Sequence, residues 1–210
     1  MSAPAMRFSA VVLAAGLSSR MEGPHKMMLP VGDEPAIRRS VRAVLDSGVQ
    51  EIVVVTGYQG RDVMRTLADL PVMLQPNLRY EDGQMTSVAA GVAGLAKATD
   101  AIMVCLGDMV LITAQDYRDL MAVYEAHSDY SIVAPRYQGE RGNPIVFAAA
   151  YAPEVAAGRR LIGCRKLVEE YPDEVYFHDV PHDRYSMDMD TPQDYARVLS
   201  RLGLRQGAAA

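Results

Sequence analysis

Three stretches of the chain carry residues whose types and spacing suit phosphate chemistry. The first is Leu13-Ala14-Ala15-Gly16-Leu17-Ser18-Ser19-Arg20-Met21, followed by Lys26. Small residues around Gly16 let the backbone approach a ligand closely, and a run of free N–H groups there can cradle phosphate oxygens. Arg20 and Lys26 add two cations suited to a polyphosphate. An ordinary strand-to-helix turn with solvent-facing charges has a similar composition, so this loop decides nothing alone. It is neither a dinucleotide G-x-G-x-x-G nor a Walker A loop, because Gly16 lacks the partner glycines and the G-K-[ST] ending. The second stretch, Gly107-Asp108-Met109, puts a carboxylate straight after an apolar run. Such a carboxylate either holds Mg²⁺ against phosphates or caps the next helix. Thr113 is the better cap, which leaves Asp108 free for the metal. The third stretch is Met187-Asp188-Met189-Asp190-Thr191-Pro192-Gln193-Asp194. Asp188 and Asp190 alternate along an extended segment and so point the same way, and one or both can share a site with Asp108. The competing reading of Asp190 is a residue placed before a helix cap, where the helix dipole favours negative charge.

Two further segments stay open between function and scaffold. Asn77–Ser87 (NLRYEDGQMTS) leads into a small-residue helix, and Gly83, Gln84 and Ser87 either contact a base and ribose or form a turn and cap. Arg141-Gly142-Asn143-Pro144 either lines an acceptor side or turns into an edge strand. No Ser-His-Asp or Cys-His set stands out. Among the 4 histidines, His25 sits in the first loop, while His127, His178 and His182 look incidental. The 2 cysteines, Cys105 and Cys164, are isolated, which argues against a disulfide framework and a zinc site, and Cys105 in its apolar run reads as a buried small residue.

The elements that must position these residues alternate. Strands are predicted over Phe8–Ala15, Glu51–Thr56, Val72–Gln75, Ala101–Leu106, Tyr130–Ala134, Pro144–Ala148 and Val175–His178. Helices are predicted over Ala36–Asp46, Arg61–Leu70, Thr86–Lys97, Thr113–Ala126 and Thr191–Leu202, the last opening on a Thr-Pro pair. This alternation implies βαβ units and a mostly parallel sheet with helices on both faces, a Rossmann-like α/β fold. Ligands of such sheets bind beyond the carboxyl ends of the strands, so the residues just after each strand matter most.

With 210 residues, 50% of them hydrophobic, the chain can bury a core without metal or disulfide staples. One domain over residues 8–204 is expected, with an extension at 1–7 and a frayed tail at 205–210. The 21 basic and 26 acidic residues give a net charge of -5, which disfavours a broad nucleic-acid surface. No basic face or lipid-anchoring motif points to a membrane, and no signal peptide or spanning segment is visible. The expectation is a cytoplasmic protein.

Taken in order, these motifs resemble nucleotidyltransferases that act on molybdenum cofactor, a branch of the MobA-like NTP transferases. The cytidylyltransferase group is the nearest in appearance. The family's L-A-A-G-x-[SG]-x-R-M-G-x-x-K is similar to Leu13–Met21 plus Lys26. Its L-P-[LV]-G-x-x-P is similar to Leu29–Pro35, and its N-x-x-[WY]-x-x-G-x-x-x-S to Asn77, Tyr80, Gly83 and Ser87. Gly107-Asp108, Arg141–Pro144 and Asp188–Asp194 match G-D-x-P, R-G-N-P and D-x-D-T-P-x-D in turn. The resemblance spans residues 8 to 200. The sequence departs from the pattern in three places. Arg20 to Lys26 is one residue longer than usual. Met109 and Val110 replace a polar residue and proline. Arg160–Arg165 keeps Gly163 and Arg165 of G-D-x-G-A-R but lacks the acid.

The resemblance implies transfer of NMP, CMP from CTP, onto a phosphorylated acceptor such as molybdopterin, with release of pyrophosphate. It implies Mg²⁺ on Asp108 and Asp190, with Arg20 and Lys26 on the triphosphate. Leu13, Ala14, Ala15, Gly16, Ser18 and Ser19 would line the donor, and Gly83 and Ser87 would read base and ribose. A molybdoenzyme or maturation chaperone would be a possible protein partner. The missing acid leaves open a sugar-phosphate or other small phosphate acceptor, and a non-catalytic nucleotide-binding protein is the reading from another class. A nicotinamide oxidoreductase ranks last for want of the dinucleotide glycines.

Overall fold

The computed structural model describes residues 5–21, 23, 25–159 and 171–205. Its centre is β1 (Phe8–Ala14), a run of seven residues buried along its whole length. A strand so uniformly buried needs sheet on both edges and helices on both faces. β4 (Glu51–Thr56) pairs parallel to one edge, with Val11 opposite Val53. β6 (Ala101–Leu106) pairs parallel to the other, with Val11 opposite Val104. The sheet then extends outward through β5 (Met73–Pro76) beyond β4. Beyond β6 lie β9 (Ile145–Ala148), β7 (Ile132–Tyr137) and β10 (Val175–Asp179), in the order β10-β7-β9-β6-β1-β4-β5. β9 runs antiparallel to both neighbours, whereas β10 is parallel to β7. The short β8 (Glu140–Arg141) pairs antiparallel with β7.

Period-two alternation splits β1 between two cores. Ala10, Val12 and Ala14 join the face packed by α1 (Ala36–Leu45), α2 (Gly60–Thr66) and α4 (Ala114–Ala126). Val11, Leu13 and Ala15 join the face packed by α3 (Gln84–Ala93) and α5 (Ala152–Ala156). Each fully buried valine of this kind contributes about 1.5–3 kcal/mol. A third cluster lies apart. There, α6 (Pro192–Arg201) sets Tyr195, Val198 and Leu199 against Leu29 and Val31 of a small hairpin, β2 (Pro30–Val31) with β3 (Glu34–Pro35). The Tyr195 hydroxyl donates to the Pro30 carbonyl at 2.5 Å.

The mostly parallel α/β sheet with two helical layers is as expected, with differences at the margins. The hairpin, β8 and α5 are additions, each of two to five residues. α3 starts at Gln84 rather than Thr86 because Gly83 is its N-cap, with φ 109° in a region favouring glycine. It ends at Ala93, short of Lys97. The strand predicted from Tyr130 begins at Ile132, after a turn. Arg160–Arg165 lies outside the described residues. Among the described residues no helix is long and apolar enough to cross a membrane.

Candidate active site

The carboxyl ends of β1 and β6 are held together by a close approach at Gly107. The Gly107 N–H donates to the Leu13 carbonyl at 2.9 Å. A Cβ on Gly107 would lie 2.7 Å from Ile37 Cδ1 and 3.0 Å from the Leu13 oxygen. Asp108 is thereby set beside the loop that leaves β1. That loop folds on itself: Ser18 has φ 54°, its carbonyl accepts from the Met21 N–H at 3.0 Å, and its hydroxyl accepts from the Lys26 N–H at 3.2 Å.

The third partner arrives from the segment before α6. Met189 is fully buried in the third cluster, so its neighbours Asp188 and Asp190 face the other way, into the site. Thr191 caps α6 through a reciprocal pair with Asp194, as Thr113 caps α4 with Asp116. Neither Asp108 nor Asp190 is used as a cap.

Lys26 joins the two carboxylates. Its ammonium donates to Asp108 and, at 2.7 Å, to Asp190. Arg20 pairs with the second oxygen of Asp190. The side chains of Lys26 and Asp108 are only 11% and 6% exposed, so this is a partly desolvated pair. Burial works to pull the Lys26 ammonium down, but Asp108 and Asp190 more than reverse this and hold it above its ordinary value. Burial likewise opposes ionisation of Asp190, and Lys26 and Arg20 outweigh it, holding the carboxyl below its usual range. Asp188 is pushed up to about 6 by burial and by the negative charges of Asp190 and Asp108. The three carboxylates Asp108, Asp188 and Asp190 each offer an oxygen within 4.8 Å of the others. When all three are ionised, two cations face three anions. Hard oxygen donors with residual negative charge suit a divalent cation such as Mg²⁺ or Mn²⁺.

These groups line one side of a cavity of about 390 Å³. The Asn77 amide donates to Ser87 Oγ at 3.0 Å and Thr86 Oγ1 at 2.9 Å, which fixes the start of α3. Tyr80, Gln84 and Ser87 face the cavity from there, and Arg141 and Asn143 face it from the turn before β9. Of the residues singled out in the sequence, Leu13, Ala15, Gly16, Arg20, Lys26, Ser87, Asp108 and Asp190 line this cavity. Ser18 and Ser19 line a smaller adjoining recess of about 170 Å³, together with Gly16, Arg20, Lys26 and Asp190. Two residues fall outside both. Ala14 packs into the core on the opposite face of the sheet, and Gly83 caps α3 from outside the lining. Tyr80, Gln84, Arg141, Asn143 and Asp188, also marked in the sequence, line the cavity too, and the lining adds Met27 and Leu106, which carry no chemical signal there. His25 belongs to the first loop but is buried against Tyr58, their rings 5.6 Å apart edge to face, and burial holds its pKa below the ordinary value.

The family model described as the MobA-like NTP transferase domain matches residues 10–175. The chain belongs to this family. Curated relatives of this NTP transferase domain include the bifunctional protein GlmU of Syntrophomonas wolfei, 30% identical over 75% of this chain and 34% of that protein. The chain therefore spans about a third of that relative's length. Nicotine blue oxidoreductase of Paenarthrobacter nicotinovorans is 26% identical over 90% of this chain and 95% of its own. A probable molybdenum cofactor guanylyltransferase of Pelotomaculum thermopropionicum is 28% identical over 80% and 76%. Two solved structures share the fold. A nucleotidyl transferase from Methanothermobacter thermautotroptrophicus superposes with TM-score 0.79 at 24% identity, covering 93% of this chain and 97% of that one. The manganese complex of Rv0371C from Mycobacterium tuberculosis superposes with TM-score 0.71 at 23% identity, covering 93% and 99%. Within this MobA-like domain, the acidic cluster and the Gly16 loop lie beyond the carboxyl ends of β1 and β6.

Proposed function

We propose that this MobA-like NTP transferase moves CMP from CTP onto a phosphorylated acceptor, of the molybdopterin type, and releases pyrophosphate. The observation that carries the reading is the convergence of Arg20, Lys26, Asp108, Asp188 and Asp190 on one cavity beside a small-residue loop. The arrangement suits phosphoryl chemistry, which depends on positioning and charge neutralisation.

In this reading Asp108 and Asp190, with Asp188 beside them, hold a divalent cation. When bound, such an ion neutralises charge on the phosphate oxygens and on the leaving pyrophosphate. Arg20 and Lys26 bind the triphosphate, and the backbone N–H groups from Ala15 to Ser19 cradle its outer phosphates. Tyr80, Gln84 and Ser87 hold base and ribose. An acceptor phosphate oxygen attacks the α-phosphorus, and the bond from that phosphorus to the bridging oxygen of pyrophosphate breaks. The acceptor oxygen is already ionised at neutral pH, so no general base is needed. Arg141 and Asn143 orient the acceptor.

The choice of cytidine and of a pterin acceptor rests on the motif resemblance. The test is pyrophosphate release from each of the four NTPs with Mg²⁺, using purified molybdopterin-type cofactor and, separately, a pool of sugar phosphates. CTP-dependent release with the pterin supports the full reading. Release only with a sugar phosphate keeps the chemistry and moves the acceptor. A GTP preference overturns the choice of base, and no release with any pair overturns the transferase reading.

A further inference from the structure

Asp188 and Asp190 lie on a segment with no regular secondary structure, so something else must fix their position. The residue immediately upstream that does most is Tyr185, which is buried. Its hydroxyl donates to the Asp116 carbonyl in the first turn of α4 at 2.8 Å. Its ring stacks on His182 with centroids 5.5 Å apart. Its own carbonyl accepts the Asn143 N–H at 2.7 Å. Gly142 is pressed against it: a Cβ there would lie 2.3 Å from the Tyr185 oxygen and 2.9 Å from its carbonyl carbon. The opposite side of Gly142 is also held, because its N–H donates to the Pro135 carbonyl of β7 at 2.8 Å.

The anchor at α4 is charged as well as hydrogen-bonded. One oxygen of Asp116 accepts from the Thr113 N–H and hydroxyl as a helix cap. The other accepts from Arg184 at 2.8 Å, and Arg184 also donates to His182 at 2.6 Å. Asp116 is buried, so this network is rigid in proportion to what breaking it would cost. The turn 182–186 is thus tied to α4 on one side and to the loop 141–143 on the other. Three residues beyond Tyr185 comes Asp188, and two more bring Asp190.

We propose that Tyr185 and Gly142 form a positioning joint that sets the carboxylates Asp188 and Asp190 relative to the acceptor-side residues Arg141 and Asn143. This rests on the reading that Asp108, Asp188 and Asp190 hold a divalent cation. Neither Tyr185 nor Gly142 touches the cavity, so both act through the backbone. Added bulk at Gly142 must push the Tyr185 carbonyl away and carry the segment behind it out of register with Asp108. The base-side residues Tyr80, Gln84 and Ser87 belong to other elements and stay in place.

The experiment uses the full chain, with Mn²⁺ alone as the probe of the carboxylates. Free Mn²⁺ is read by electron paramagnetic resonance during titration. CTP binding in EDTA is read by calorimetry, and thermal unfolding in EDTA shows that each variant is folded. Gly142→Ala should weaken Mn²⁺ binding roughly tenfold or more, the scale of losses when support behind metal ligands is removed. Tyr185→Phe keeps the ring and loses one hydrogen bond, and should weaken it roughly two- to tenfold. Metal-free CTP affinity should fall by a smaller factor than Mn²⁺ affinity in both, because the base side does not depend on the joint and only the phosphate side, where Arg20 and Lys26 pair with Asp190, feels it. If Gly142→Ala does not fold, Tyr185→Phe carries the test. Folded variants that bind Mn²⁺ like the parent overturn the joint. So does a parallel loss of Mn²⁺ and metal-free CTP binding, which would mark general damage. A parent chain that binds CTP but no Mn²⁺ fails at the metal reading itself, and the joint falls with it.

Discussion

The substitution Asp188→Asn offers a direct measure of the charge crowding at the site. Asp188 is isosteric with asparagine, and an asparagine amide can donate to Asp190 as a protonated Asp188 would. The carboxyl is raised from an ordinary 3.8 to about 6 by burial and by Asp190 and Asp108. A folded-state value above the unfolded one means that the native state holds the proton more tightly. Asp188 therefore costs nothing below about pH 4, and its penalty grows as pH rises from about 4 to about 6, where it levels off. A rise of about two pH units at about 1.36 kcal/mol each sets a ceiling of about 3 kcal/mol. Solvent reaches this half-buried carboxylate and screens the repulsion, which brings the expected gain to about 1–2 kcal/mol. In a chain of this size that corresponds to a Tm increase of about 3–6 °C.

The assay is thermal unfolding of parent and variant in EDTA at pH 4 and at pH 8. The variant should be the more stable at pH 8, and the two should converge at pH 4. Saturating Mn²⁺ should reverse the order at pH 8, because the ion stabilises the state that binds it and the parent offers one more ligand. A variant less stable than the parent in EDTA at pH 8 would refute the reasoning. An equal gap at both pH values would refute it as well, since it would trace the effect to packing and not to charge.

The same geometry sets other outcomes. Asp108→Ala and Asp190→Ala should each abolish Mg²⁺-dependent pyrophosphate release in a chain that still unfolds cooperatively, and full activity in either sinks the metal assignment. Lys26→Met should lower kcat by roughly 10²–10³, the loss expected when one preorganised charge at a phosphoryl site is removed; steady-state pyrophosphate release measures it. Gly91→Ala should destabilise the chain by about 1–3 kcal/mol in chemical denaturation, because the new Cβ would meet Val11 Cγ1 at 2.2 Å and Val55 Cγ2 at 2.8 Å, pushing α3 off the sheet. The Arg7 guanidinium holds Asp100 down at about 2, so this surface pair contributes stability above about pH 4 that is lost as pH falls toward 2. Asp100→Asn should flatten that part of the Tm-against-pH curve, and salt should weaken the effect.

The fold was readable where burial leaves the chain no choice. Six apolar residues and one buried serine from Phe8 to Ala14 fit only a central strand, and Thr113 and Thr191 announce their helices by side chains that satisfy free N–H groups. Pairing was not readable. Nothing in Ile145–Ala148 says that it inserts antiparallel between two strands, because an apolar strand buried on both faces looks the same in either direction. The two-residue strands of the hairpin carry no periodicity, and α3 blurs because small residues surround its buried face, so its start follows from Gly83 and from the Asn77 hydrogen bonds.

At the candidate site, residue type marked side chains that the fold brings together but not their relations. Arg20, Lys26, Asp108 and Asp190 stand out as charges placed after strands, yet Lys26 and Asp108 are 82 residues apart and only the sheet order makes them neighbours. Ala14 and Ala15 look interchangeable in the motif, and the alternation of β1 sends one to the core and the other to the cavity. The same alternation gives Met189 its importance. A buried methionine between two aspartates commits both to one direction, and Val31 of the hairpin, which shares its cluster, comes from the stretch just after the Gly16 loop. The third cluster thereby couples distant parts of the chain: Leu29 and Val31 share it with Met189, and the burial of Met189 aims the carboxylates back at Lys26. A site assembled this way tolerates long separation in sequence because its charged groups are aimed by apolar neighbours, and apolar burial needs no partner of particular identity.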